Sequence, residues 1–125
     1  MKKIILFCIL VCLVPSMVLA KREHPEKWYQ EQWCAAHRGQ VEVVLPDGTR
    51  CDCVTKIQAI EFDFGNRWAE AVGQSAYYSM QTKKRPEIAL ILETVKDRKY
   101  WIRLNTTIEH FNLSIDTWSV GNAAY

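Results

Sequence analysis

AIEFDFGNRWAEAVGQSAYYSMQTKKRPEIALIL, residues 59–92, contains three consecutive segments with clear secondary-structure patterns. Its first part, residues 59–64, alternates apolar and acidic side chains, which is the period of a half-buried strand. Asn66 follows as a favourable N-cap for a helix that the spacing predicts over residues 67–81. The wholly apolar run at residues 88–92 is typical of a buried central strand. A strand, a helix and a buried strand in this order predict an α/β domain.

Segments on both sides extend this core. The first of them has apolar residues at helical spacing, and the next two are short extended runs joined by a Pro-Asp-Gly turn. The further predicted elements are, in chain order, a helix at residues 26–38, strands at 41–45, 50–55 and 100–104, a short helix at 106–111 and a last edge element at 113–118. The chain is therefore predicted to form a single domain with one mixed β-sheet flanked by helices.

Residues 1–20 have the character of a secretory signal peptide. A positively charged start and a short apolar run at residues 4–14 precede Ala20, where the small-residue pattern read by signal peptidase occurs. An apolar run of about 11 residues is too short to span a bilayer of about 30 Å. We therefore expect cleavage after Ala20, a mature domain at residues 21–125 in the periplasm or outside the cell, and no stable membrane insertion. An uncleaved anchor is the alternative.

The charge of the predicted mature domain is balanced. The full chain has 16 Lys plus Arg against 14 Asp plus Glu, and two of the lysines, Lys2 and Lys3, belong to the first twenty residues. The mature net charge is then zero, so no whole-protein field attracts a polyanion. Contact with nucleic acid must come from local patches, such as the basic run at residues 83–85.

Three cysteines lie after the predicted cleavage site, at Cys34, Cys51 and Cys53. In an oxidising compartment we expect one disulfide, from Cys34 to either Cys51 or Cys53. Since Cys51 and Cys53 are two residues apart on a predicted strand, both should face the same side. Buried free thiols are the alternative. Zinc is not favoured, because the C-x-C spacing without neighbouring histidines does not suit it.

Acidic residues on two predicted strands are expected to converge. Glu61 and Asp63 project from one face of their strand, and Asp52 lies on the strand before it. Three carboxylates in one place repel one another unless a cation neutralises them, and a hard ion such as Mg²⁺ or Mn²⁺ prefers oxygen ligands. The alternative interpretation is a solvated sheet face on which the acids pair with Arg50 or Lys56.

The helix that follows places polar side chains on one stripe. Arg67, Gln74 and Tyr78 lie at i, i+7 and i+11, and the stripe begins a few residues after Asp63. A helix N-terminus at this point favours an anionic ligand. The amide of Gln74 and the hydroxyl of Tyr78 suit contacts with a phosphate or a base edge.

Taken together, Asp52, the triplet Glu61-Phe62-Asp63 and a helix with Q-x-x-x-Y resemble the PD-(D/E)XK nuclease superfamily. The resemblance is to its RecB-type and Holliday-junction-resolvase-like branch, including small, mostly uncharacterised bacterial members, and it covers residues 28–104. It implies a restriction-endonuclease-like fold and metal-dependent hydrolysis of phosphodiester bonds, in DNA in preference to RNA, by an endo- or exonuclease. Many relatives of this fold act as dimers, so a homodimer is an open expectation.

The resemblance also implies roles for individual residues. Asp52 and Glu61 would hold Mg²⁺ or Mn²⁺, which lowers the pKa of an attacking water. An acid from the first helix often completes the metal site in this family. Glu31 is the candidate here, because Glu23 and Glu26 lie close to the predicted cleavage site.

One position departs from the family pattern. A lysine normally lies two residues after the glutamate, where this chain has Asp63. Three interpretations stay open: Arg67 supplies the positive charge from a shifted position, Asp63 is a third metal ligand, or the site binds metal or nucleic acid without cutting. The rival to the nuclease is therefore a catalytically inactive binding or structural module of the bacterial envelope.

Overall fold

The computed structural model describes residues 21–125, so the predicted signal peptide at residues 1–20 lies outside the described residues. The helices and strands of the described part are, in chain order, α1 (Glu26–Ala36), β1 (Gln40–Val44), β2 (Arg50–Val54), β3 (Gln58–Phe64), α2 (Trp68–Thr82), β4 (Arg85–Ile91), α3 (Arg98–His110) and β5 (Asp116–Val120). Short 3-10 turns, Gly65–Arg67 and Val95–Asp97, lead into α2 and α3. Within residues 21–125, no helix has the length and apolar character needed to cross a membrane.

The five strands form one mixed sheet in the order β1-β2-β3-β4-β5. The first three strands are antiparallel neighbours, whereas β4 runs parallel to β3 and β5 runs parallel to β4. Parallel neighbours need a crossover, and here α2 connects β3 to β4 and α3 connects β4 to β5. The prediction of a single α/β domain with a mixed sheet flanked by helices is confirmed.

Helices cover both faces of the sheet. On one face, Tyr29 of α1 packs with Phe62 of β3 and Ile91 of β4. On the other face, Leu90 of β4 packs with Leu104 of α3. Neighbouring residues of β4 thus point to opposite helical layers, which explains why the wholly apolar run predicted to be a central strand is buried on both sides.

The segment predicted as a strand at residues 100–104 is helical instead. It lies inside α3, which also contains most of the short helix predicted at 106–111. Thr94 and Asp97 form a capping box that starts this helical segment, and Leu104 is its buried residue. The strand prediction was wrong, because Trp101 and Leu104 pack against the sheet at the three-residue spacing of a helix.

Cys34 of α1 and Cys53 of β2 form the disulfide, which resolves the two alternatives. Within the described residues Cys51 is left as a free and buried thiol. The prediction that both strand cysteines face the same side is wrong, because Cys53 packs under α1 whereas Cys51 packs against Tyr78 of α2. The regular alternation of β2 is broken between them, at Asp52.

Gly39 makes room for the disulfide between α1 and β1. A Cβ atom added at this position would lie 2.5 Å from Sγ of Cys34 and 2.7 Å from Sγ of Cys53. Any side chain here would therefore push α1 away from β2. The absence of a side chain at Gly39 is what lets α1 and β2 approach closely enough to be joined.

Candidate functional site

The candidate site lies where β2 separates from β3. The two strands are in register through Cys53 and Val54 of β2. One step further along, the backbone N–H of Phe62 donates to Oδ2 of Asp52 at 2.8 Å. A side-chain carboxylate thus takes the position that a backbone carbonyl occupies in an uninterrupted ladder. The side chain of Asp52 is held inside the fork between the two strands.

Glu61 of β3 faces Asp52 across this fork. The two residues are 4% and 8% exposed, and a protonated Glu61 donates a hydrogen bond to Asp52. Burial, followed by the charge of Asp52, raises the pKa of Glu61 to about 10. Burial raises the pKa of Asp52 to about 7, against the opposing hydrogen bond from Phe62. At neutral pH this pair therefore retains a proton.

A second pair of carboxyl groups joins α1 to β3. Glu26 lies in the first turn of α1 and, when protonated, donates to Asp63 at the end of β3. Burial, followed by the charges of Asp52 and Asp63, raises the pKa of Glu26 to about 8. Burial raises the pKa of Asp63 to about 6, although Arg67 opposes that shift. The four residues Glu26, Asp52, Glu61 and Asp63, from three elements, are called the acidic cluster below.

Arg67 lies at the edge of the acidic cluster, just before α2. Its Nε is 3.5 Å from Oδ1 of Asp63, and its Nη2 is 2.7 Å from Oε1 of Glu70. The Arg67 side chain is 48% exposed. Its guanidinium therefore offsets part of the negative charge of the cluster and still reaches solvent.

Gln74 and Tyr78 line the cluster from the α2 side. Tyr78 is buried against Cys51, and burial, followed by the charges of Glu61 and Asp52, raises its pKa to about 12. Gln74 hydrogen-bonds to the Tyr78 hydroxyl. These two predicted substrate-binding residues thus lie behind the acids rather than on an open surface.

Glu31 is not placed at the acidic cluster. Its side chain is 53% exposed and lies 3.7 Å from Nζ of Lys27. The helical acid at the cluster is Glu26 instead, which was not predicted because it lies close to the predicted cleavage site. The signal that identifies it is helical spacing: Glu26, Gln30 and Cys34 lie at i, i+4 and i+8, on the stripe of α1 that faces the sheet.

Gln30 is a site residue that the sequence analysis missed. It is 2% exposed, and its Nε2 donates to Oε1 of Glu26 at 3.3 Å. Within residues 21–125, buried side-chain oxygens without a hydrogen-bond partner include Oε1 of Gln30, Oε2 of Glu61 and Oε1 of Gln74. Because a buried acceptor without a donor costs about 1–3 kcal/mol, such oxygens mark a place where a donor or a cation belongs.

The basic run at residues 83–85 is engaged in the fold. Nζ of Lys84 donates to the carbonyl oxygen of Lys56 at 2.7 Å. Arg85 pairs with Asp116 of β5 at 2.5 Å. Lys83 takes a left-handed backbone conformation, φ 58°, where α2 ends. The basic run therefore has a structural role, since it ends α2 at Lys83 and begins β4 at Arg85.

Fold and site together define a single-domain α/β protein with a buried acidic cluster at a fork in its mixed sheet. Comparison with protein-family models, with curated proteins and with solved structures finds no match. In the part of the chain that the structure describes, no three His, Cys, Asp or Glu side chains are placed as a ready metal-binding group. The acids instead face one another in two proton-sharing pairs.

The donor set of the acidic cluster nevertheless has the chemistry that a hard cation requires. Every donor is an oxygen, Arg67 lies beside Asp63 at the edge of the four acids, and Oε2 of Glu61 has no hydrogen-bond partner among the described residues. Mg²⁺ and Mn²⁺ prefer such oxygens. Asp52 and Glu61 are the two residues best placed to hold an ion, since both are buried in the fork.

Proposed function

We propose that the acidic cluster binds Mg²⁺ or Mn²⁺ and that the protein is a metal-dependent nuclease that hydrolyses phosphodiester bonds in DNA. The observation that carries this proposal is the meeting of Asp52 and Glu61, from two strands that separate, in a buried pair whose mutual repulsion is relieved only by a proton or a cation. A divalent ion would neutralise both carboxylates at once, whereas a shared proton leaves one charge in place.

The order of the elements supports the finer fold assignment, a restriction-endonuclease-like domain. The resemblance to the PD-(D/E)XK superfamily implies acids on two successive strands, followed by a helix with the Q-x-x-x-Y pair. Asp52 lies on β2, Glu61 on β3, and Gln74 and Tyr78 on α2. Tyr78 packs on Cys51, and the charges of Glu61 and Asp52 help to raise its pKa, so α2 lies close to both acids.

Asp52 and Glu61 are the proposed metal ligands, and Glu26 takes the role that the resemblance gives to an acid of the first helix. The chemistry that a bound ion supplies is a lowered pKa of an attacking water and neutralisation of phosphate charge. Gln30 orients Glu26 through its amide, and Tyr78, which hydrogen-bonds to Gln74, lies close enough to Glu61 for the charge of that carboxylate to raise its pKa. The carboxylates of Glu26 and Asp52 are thus held in place by hydrogen bonds from Gln30 and from the backbone of Phe62.

Asp63 and Arg67 replace the missing family lysine in this proposal. The carboxylate of Asp63 is engaged by Arg67 at 3.5 Å and by the N–H of Phe64 at 3.0 Å, which favours a role in directing Arg67 over a role as a third ligand. A guanidinium hydrogen-bonds to phosphate in a fork, but it does not act as a base, because it stays protonated. Arg67 therefore binds the phosphate, and no protein base is needed.

A catalytically inactive nuclease-fold module of the bacterial envelope is the second candidate. The observation that favours it is the pairing of the four acids through protons, since this arrangement keeps the cluster intact without any cation. The loss of the family lysine points in the same direction. Such a module would keep the fork and its buried acids as a structural or binding feature.

One assay separates the two candidates. Purified residues 21–125 are incubated with single- and double-stranded DNA and Mn²⁺, beside the Asp52→Asn, Glu61→Gln variant and a Glu31→Gln control. The nuclease proposal expects cleavage by the wild type and by Glu31→Gln, with none by the double variant. If no protein cleaves DNA, yet Mn²⁺ raises the melting temperature of the wild type and of Glu31→Gln but not that of the double variant, the inactive binding module is the better account.

We also propose export to the periplasm or the outside of the cell. The Cys34–Cys53 disulfide supports this location, because disulfides persist in oxidising compartments. N-terminal sequencing of protein recovered from the periplasm or the medium should begin at Lys21. Recovery only from the cytoplasm, with the first twenty residues still attached, would remove this part of the proposal.

A further inference from the structure

The helix that carries Glu26 is anchored at both of its ends. Its C-terminal half is joined to β2 by the Cys34–Cys53 disulfide. Its N-terminal end follows residues 22–24, which are called the strap below and which lie against Glu93. Glu93 lies two residues after the end of β4, so the strap connects α1 to the ends of the parallel strands.

Glu93 binds the strap and α1 through both carboxylate oxygens. Oε1 accepts the backbone N–H of Glu23 at 2.8 Å and the hydroxyl of Tyr29 at 3.4 Å. The N–H of His24 lies 3.5 Å from the same oxygen. Oε2 is 3.5 Å from Nη1 of Arg22. The Glu93 side chain is only 9% exposed. All three strap residues and Tyr29 of α1 direct hydrogen-bond donors at its carboxylate.

Glu93 is itself fixed by the helical segment that follows it. Oδ2 of Asp97 accepts the backbone N–H of Glu93 at 3.0 Å and that of Thr94 at 2.9 Å. Burial, followed by the charge of Glu93, raises the pKa of Tyr29 to about 12, so the phenol remains a hydrogen-bond donor. The backbone of Glu93 is thus fixed by Asp97, and its side chain has a protonated Tyr29 as a donor from α1.

The strap also reaches the segment between Asp63 and Arg67. The guanidinium of Arg22 lies over the ring of Phe64, 3.8 Å from its centroid. Its Nη2 donates to Oδ1 of Asn66 at 2.8 Å. The strap thus crosses the end of β3 beside the acidic cluster before α1 begins.

α1 carries Glu26 in its first turn, where Gln30 and Asp63 contact the side chain and the strap holds the backbone. Its N-cap is Pro25, which, among the described residues, makes no side-chain capping hydrogen bond. A helix start without a cap frays readily, and Glu26 is in that first turn. We propose that Glu93 is a positioning residue that, through the strap and Tyr29, holds Glu26 at the acidic cluster. This inference rests on the proposed function, since cation binding reports where Glu26 lies.

Mn²⁺ titration calorimetry on the purified, oxidised protein tests the inference. Loss of a residue that orients a metal ligand weakens binding by about tenfold or more, which is the effect expected for both Glu93→Ala and Glu26→Ala. Glu93→Gln should stay within about threefold of the wild type, because its amide oxygen accepts the hydrogen bonds that Oε1 accepts and only the 3.5 Å contact of Oε2 with Arg22 is lost. If Glu93 acts through Glu26, the Glu26→Ala, Glu93→Ala double variant binds no more weakly than Glu26→Ala alone.

Wild-type affinity in Glu93→Ala, or losses that multiply in the double variant, would overturn the inference. If Glu93→Ala does not fold, Tyr29→Phe takes its place, and unchanged Mn²⁺ affinity there counts against the inference in the same way. If the wild type binds no Mn²⁺, the proposed function fails and amide hydrogen exchange decides the role of Glu93. Exchange over residues 23–30 should then be faster in Glu93→Ala than in Glu93→Gln, and equal rates would overturn it.

Discussion

The backbone N–H of Phe62 donates to the carboxylate of Asp52 at 2.8 Å, just beyond the Cys53–Ile60 pair at which the pairing of β2 with β3 ends. This single hydrogen bond makes Asp52 a structural as well as a chemical residue. It fills the gap in the ladder between β2 and β3, and it directs the carboxylate toward Glu61. The position of the acidic cluster therefore follows from the place where the sheet forks.

Asp52→Ala should destabilise the protein even in the absence of metal. The variant leaves the buried N–H of Phe62 without an acceptor, which costs about 1–3 kcal/mol in the free energy of unfolding. Asp52→Asn keeps an acceptor oxygen and removes the buried charge, so its loss should be smaller. Urea denaturation with a metal chelator present measures both. Identical unfolding midpoints for Asp52→Ala and the wild type would contradict this role.

Without a divalent cation, the protein should lose stability as the pH rises through neutrality. The pKa of Asp52 is raised from 3.8 to about 7 and that of Glu26 from 4.5 to about 8. Each group binds more protons in the folded than in the unfolded chain, so its stabilising contribution is complete below about pH 4 and is lost as the pH rises through the folded pKa.

Calorimetry in chelator should therefore give a melting temperature that falls between about pH 5 and pH 8. Glu26→Gln should flatten the profile, because its amide does not titrate. Added Mn²⁺ should raise the melting temperature most at the upper end of the range, where the carboxylates are free of protons. A melting temperature that is constant or rises with pH in chelator would show that the acids are not buried as described.

Reduction of the Cys34–Cys53 disulfide should lower the stability. The two cysteines are 19 residues apart in sequence, and a disulfide that closes a loop of this length contributes about 3 kcal/mol. Guanidinium denaturation with and without a dithiol reductant measures the difference. Cys51→Ala keeps the disulfide and should show the same sensitivity to reductant. Equal midpoints for the oxidised and reduced wild type would count against this contribution.

Arg67→Ala should separate phosphate binding from cation binding. Loss of the guanidinium is expected to slow DNA cleavage by about 100-fold, the usual cost of removing one group that stabilises developing charge. The Mn²⁺ affinity should stay the same or rise, since a positive charge beside the acids is removed. Glu70→Gln is the matched control, because it removes the exposed partner of Arg67 and keeps the arginine. Wild-type cleavage by Arg67→Ala would refute the assigned role.

The elements predicted best from sequence are those whose burial is reflected in the spacing of apolar and polar residues within the element itself. The run at residues 88–92 is apolar throughout because both faces of β4 are covered. The alternation at residues 59–64 predicted β3 and placed Glu61 and Asp63 on one side of it. The segment at residues 100–104 was misassigned because its aromatic and β-branched residues suit a strand as well as a helix that packs on a sheet.

Features of the site that were missed depend on contacts between distant segments. Glu26 joins the acidic cluster because residues 22–24 are anchored by Glu93, about seventy residues away in the chain. The burial of Tyr78 follows from a break in the alternation of β2, which brings Cys51 under α2. A period-two pattern cannot predict such a break, since it assumes that the strand continues regularly.

Cation binding by the Asp52–Glu61 pair is measured by titrating the wild type and the Asp52→Asn, Glu61→Gln variant with Mn²⁺ near pH 7, in buffers of different ionisation enthalpy. We expect saturable binding to the wild type with release of protons, because the pair must give up its proton to the buffer, and no binding to the variant. Equal heats from the two proteins, or binding without proton release, would contradict this expectation.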